Sequence, residues 1–177
     1  MSQQEKPLVN RVAQSGLITL NLENYYPESP IQEFDIKPYL FKELLLKEKE
    51  FRAAMKDHDW SQYEGAHLVT FCSSNAIVPV WAYMLIASYA APYAQSIFQG
   101  TKEAFLSFWY QQELAQLKVD QYAGQRLVIK GCSDKPVPPS AYTELTRLLQ
   151  PLAKSIMYGE PCSTVPIYKQ PRDWKRN

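Results

Sequence analysis

The sequence lacks most of the signals from which a function is usually read. It contains no GxGxxG, no Walker loop and no GxSxG, so nucleotide-binding and serine-hydrolase readings have no support. No apolar run approaches the ~20 residues that cross a bilayer. The start, MSQQEKPLVN, has neither the apolar core nor the cleavage site of a signal peptide. Charge of one sign is missing too: a formal net charge of +1 gives no nucleic-acid-binding face. Neither nucleic acid nor a membrane is therefore expected as a partner. Lys169, Arg172, Lys175 and Arg176 read as a solvated tail. Cysteine is scarce, with three residues widely spaced. An odd number without close pairs argues against a secreted disulfide framework and makes the cytoplasm the expected compartment.

What is present is an ordinary globular composition, with 46% apolar and 21% charged residues in 177. That length fits a single domain over residues 1–177, with mobile tails at 1–8 and 170–177. SGLITLNLENYY alternates like a strand with one buried face, and IQEFDIKPYL reads as a second extended piece. KEKEFRAAMKDH has the spacing of an exposed helix. From residue 66 strands and helices alternate: AHLVTFC, a nearly all-apolar and hence buried helix in SSNAIVPVWAYMLIASYAAPYA, QSIFQG, TKEAFLSFWYQQELAQL, QRLVIKGC, PPSAYTELTRLLQPLA and KSIMYGEPC. The order predicts an α/β fold, a mostly parallel sheet with helices on both faces, plus a small N-terminal antiparallel or extended layer.

Each cysteine closes or follows a predicted strand, and each opens a similar exit: CSSNAIVP at Cys72, CSDKPVP at Cys132, CSTVP at Cys162. In one parallel sheet all strands end at one edge, where open α/β folds hold their ligands. Three thiolates converging there would need a cation between them. The expectation is therefore a metal site of Cys72, Cys132 and Cys162. It would hold zinc, with a fourth position open, or an iron–sulfur cluster, with His58, Asp134 or Glu160 completing the shell. Ser73, Asn75 and Ser163 beside the cysteines would favour thiolate, and Lys130, Asp134, Lys135 and Glu160 would orient a substrate anion or move protons. Two other readings stand beside this one. Free cysteine is a small hydrophobe in many cores, which would make the chain a non-catalytic interaction or scaffold protein. A metal-free reactive thiol would make it a thiol-dependent enzyme.

Lys130, at the inner end of an apolar strand, needs a partner. His58 and Asp59 form an acid–base pair or, more simply, close the charged helix with Trp60 packed below. His67 reads as exposed or satisfied in the core.

The segments FRAAMKDHDWSQYEG, FCSSNAIVPVWAYMLIA, VIKGCSDKPVPPSAY and YGEPCSTVPIYK together resemble a bacterial family known as a domain of unknown function, numbered 2480. The similarity spans nearly the whole chain and includes all three cysteines. The family has no established activity, so the resemblance supplies no mechanism. Genes of that family often lie close to those of sulfur-mobilising iron–sulfur assembly, so the resemblance implies iron–sulfur assembly proteins as candidate partners and cluster handling as a role.

Overall fold

A computed structural model of the chain describes residues 16–131 and 134–171. The tails expected at 1–8 and 170–177 lie outside the described residues except for Gln170 and Pro171. Among the described residues there are seven strands: β1 (Leu17–Asn21), β2 (Ile31–Asp35), β3 (His67–Phe71), β4 (Ser96–Gln99), β5 (Arg126–Lys130), β6 (Ser155–Glu160) and β7 (Ser163–Lys169). Four α-helices accompany them: α1 (Glu48–Asp57), α2 (Val80–Ala90), α3 (Lys102–Ala115) and α4 (Pro139–Leu149). The chain divides into two compact units, one formed by Met1–Tyr26 with Tyr110–Asn177, the other by Pro27–Trp109.

The first unit holds a four-stranded sheet in the order β1-β5-β6-β7. The first three strands are parallel, and β7 turns back antiparallel on β6. Leu127, Val128 and Ile129 are all buried, as expected of a central parallel strand covered on both faces. Helix α4 begins on two prolines, whose fixed φ suits a first turn, and buries Ala141, Leu145 and Leu149 at helical spacing. The hairpin turn between β6 and β7 is Pro161–Cys162, and a register shift follows at Ile156/Met157.

The second unit is built on a three-stranded, all-parallel sheet in the order β2-β3-β4. Helix α1 buries Phe51 and Met55, one helical turn apart, while Arg52 and Glu48 pair at 2.9 Å on its outer face. Helix α2 begins only at Val80, because Pro79 disfavours a helical Val78 and Ser74 Oγ instead accepts the Ala76 N–H in a local turn. Ala82, Ile86 and Ala90 face the core, but Val80 and Met84 are exposed, so this helix is buried on one side only. The expected mixed α/β, mostly parallel fold is the one observed. Of the N-terminal antiparallel or extended layer, the two extended pieces are observed as β1 and β2, which do not pair with each other but join different sheets, each parallel to its partner. Alternating patterns show which strands have a buried face and carry no information about the pairing direction.

Both histidines belong to the second unit. His67 is buried with Nδ1 2.7 Å from Ser96 Oγ. His58 has Nδ1 3.4 Å from the Tyr39 hydroxyl and Nε2 3.3 Å from that of Tyr63. Burial holds both imidazoles below their ordinary value, with Asp59 partly opposing this at His58. An unfolded histidine takes up its proton near pH 6.5, before the folded one does, so stability falls as pH drops from about 7 to 5. Thermal unfolding across that range is expected to show a declining midpoint and a shallower decline in His67→Gln. An identical slope in the variant would remove His67 as a cause.

Candidate functional site

Val137, helix α4 and the β6–β7 hairpin border an open cleft of about 600 Å³ in the first unit, a size usual for small-molecule sites (roughly 300–1,000 Å³). Its construction starts at Gly131. A Cβ there would lie 2.7 Å from the Tyr142 hydroxyl and 3.3 Å from both Leu22 and Val137, so the missing side chain lets Tyr142 close down on the strand end. With Ala141 and Leu145 turned inward, α4 presents Tyr142, Thr143 and Thr146 along one wall. Tyr158 and Ile167 form the facing wall, and the Tyr142 and Tyr158 rings meet edge-on at 5.7 Å. Ile129, Val137 and Met157 complete an apolar lining. The cleft lies at the carboxyl halves of β5 and β6 and beside the first turns of α4, where open α/β sheets carry ligands.

The charged residues singled out in the sequence surround this region without converging on one point. Lys130 Nζ lies 3.2 Å from both oxygens of Glu160, which supplies the partner its position requires. The Asp134 N–H donates to Glu23 Oε1 at 3.1 Å, and Lys135 Nζ sits 5.5 Å over the Tyr26 ring. Ser163 pairs with Glu160 at the head of the hairpin, and Cys162 is exposed in its turn. Cys132 lies outside the described residues.

Cys72, Ser73 and Asn75 belong to the second unit. Cys72 follows β3, packs half-buried against that unit's core, and has its Sγ 3.3 Å from Ser74 Oγ. Asp35 Oδ1 accepts the N–H groups of Ser73 and Lys37, each at 2.9 Å, and Oδ2 accepts the Ser73 hydroxyl. Burial works against the Asp35 carboxylate, yet these hydrogen bonds and the Lys37 charge hold its pKa below the usual range. Burial, then the neighbouring Cys72, raises the Tyr83 phenol. Asn75 is exposed in the loop before α2. Ser73 thus fastens the end of β3 to the end of β2.

The three-cysteine metal or iron–sulfur site is corrected by this arrangement. Convergence required all three strands to end at one edge of one sheet, but β3 belongs to a different sheet from β5 and β6. Among the described residues no group of three or more His, Cys, Asp or Glu side chains could hold a metal ion. His58 and Asp59, the other acidic–basic pair, are structural: Asp59 Oδ1 accepts the Ser61 N–H at 3.0 Å and starts a 3₁₀ turn. The sequence carries no signal for the cleft itself: Ile129, Val137, Pro139, Tyr142, Tyr158 and Ile167 lie in segments that carry the family resemblance, whereas Thr143, Thr146 and Met157 lie outside them.

None of the described helices is long and apolar enough to cross a membrane. The model of a family described as "Protein of unknown function (DUF2480)" matches residues 6–170. No curated protein and no solved structure matches the chain.

Proposed function

The chain belongs to the DUF2480 family, and from that premise, which assigns no activity, we propose a binding protein for a small, largely apolar organic molecule seated between α4 and the β6–β7 hairpin. The observation that carries this reading is the lining of the cleft. Its walls are aliphatic and aromatic, with hydroxyls from Tyr142, Thr143, Thr146 and Tyr158, and among the described residues no charged side chain lines it. An apolar body would be taken out of water there, and one or two hydroxyl contacts would set its orientation. A charged ligand would lose hydration without gaining a counter-charge. A ligand of about 20 atoms at ~0.3 kcal/mol per atom corresponds to a Kd of tens of micromolar. The cytoplasm is the compartment this reading assumes, supported by three widely spaced cysteines without a close pair.

Nile red, a neutral polarity-sensitive dye, tests the proposal. Saturable, blue-shifted fluorescence is expected with wild type. Thr146→Trp, which fills the cleft from an accessible helix flank, is expected to weaken it at least about fivefold with little change in melting temperature. Non-saturable binding, or equal binding by a folded Thr146→Trp, would overturn the proposal.

A further inference from the structure

A second cleft in the first unit, of about 620 Å³, has the opposite chemistry. It begins with a row across three strands: Arg126 on β5 pairs with Ser155 on β6, which pairs with Lys169 on β7. Register partners leave a sheet on one face, and strands lie about 4.8 Å apart, so the two cations stand roughly 10 Å apart with a serine between them. Lys154, next to Ser155, adds a third positive charge, and Tyr168 and Gln170 add further polar groups. Among the described residues no carboxylate lines the cleft. Lys169 is thereby the last residue of β7 and not part of a solvated tail.

This clustering is local, because the whole chain carries a formal charge of only +1. Lys37, Lys47, Arg52, Lys130 and Arg147 each sit beside a glutamate, while Lys42, Lys49, Lys56, Lys102, Lys118 and Lys135 form no ion pair among the described residues but do not gather in one cleft with a serine between them. Lys154 and Lys169 have no ion-pair partner among the described residues. Arg126 has a further interaction of its own and contributes charge more than an open coordination position. An anion over Ser155 would accept hydrogen bonds from both lysines and the serine hydroxyl, with the Arg126 charge on the neighbouring strand. We infer that the Arg126–Ser155–Lys169 row with Lys154 is a binding site for a phosphate-class oxyanion. The site stands on different residues from the apolar cleft's hydroxyl wall, and the inference does not depend on the ligand proposed there.

Titration of the full-length ¹⁵N-labelled protein with inorganic phosphate, followed at the amides of Ser155, Lys169 and Gln170, provides the test. Saturating shifts are expected with a millimolar Kd, tighter with pyrophosphate, and absent with sodium chloride at equal ionic strength. The double variant Lys154→Gln/Lys169→Gln should weaken binding about tenfold, the effect of two exposed charge contacts, while keeping the wild-type spectrum elsewhere. Co-sedimentation with phosphatidate-containing but not phosphatidylcholine vesicles, lost in the double variant, would identify the oxyanion as a lipid headgroup. Phosphate binding without sedimentation would identify a soluble phosphorylated molecule. Shifts reproduced by chloride, or unchanged in the double variant, would overturn the inference.

Discussion

Gly159→Ala is expected to destabilise the protein by about 3 kcal/mol and to abolish Nile red binding, the sum of a strained backbone and a steric clash. Gly159 sits in β6 with φ +116°, a region that L side chains rarely adopt. A Cβ there would come 2.6 Å from the carbonyl oxygen of Ser163, which is backbone and cannot swing aside like a side chain. The contact lies across the hairpin, where Gly159 pairs with Thr164. Relief requires β7 to move away from β6, and with it the wall formed by Tyr158 and Ile167. Urea unfolding and dye titration of the variant check both halves of the expectation. A variant within about 0.5 kcal/mol of wild type would show that the hairpin adapts without cost.

Trp60→Ala should cost about 4 kcal/mol, in the range of large aromatic deletions from a core. Trp60 is almost fully buried, stacks on Phe34 at 5.4 Å and on Tyr89 at 5.9 Å, and meets the edge of His58. Its indole N–H also donates to the Met55 carbonyl at 2.7 Å, closing the end of α1. Phe34 in turn stacks on Tyr39 at 5.4 Å, so the ring column links β2 to the segment after α1. Burial around this column, then the neighbouring Tyr39, pushes the Tyr63 phenol up to about 12. Trp60→Phe keeps a stacked ring but leaves the Met55 carbonyl without its donor, and a loss of about 1–2 kcal/mol is expected. Denaturation followed by circular dichroism measures both. Equal losses for the two variants would contradict a role for the stacking area.

The elements were legible where pattern and local chemistry agreed. The apolar runs at 67–71 and 126–130 are strands, and the Phe51/Met55 spacing is a helix, because burial periodicity is written directly into residue order. The strand β7 carries no such signal. STVPIYK carries a proline and leaves Val165 and Ile167 exposed, so it has neither clean alternation nor a buried run. The division into two sheets was equally hidden, since nothing local in β3 says whether it pairs with β2 or β5. That single ambiguity misled the reading of the site. Val137 and the β6–β7 hairpin that carries Cys162 do border a cleft, but the residues that shape it are Gly131, Tyr142, Tyr158 and Ile167. Their roles follow from backbone clearance and the direction each face takes, which no motif spacing encodes.

The interruption of the first unit by the second has a consequence in time. Leu17 pairs with Arg126, so β1 emerges during synthesis roughly ten seconds before its neighbour, at about 5–20 residues per second. Closing so long a loop costs about 4 kcal/mol of chain entropy before any contact rewards it. The strands β2, β3 and β4 need no such wait, for each finds its partner within Pro27–Trp109. The nascent chain therefore carries LITLN as an unpaired apolar strand while the inserted unit is free to assemble. The period of greatest vulnerability to misassociation ends only when β5 leaves the ribosome.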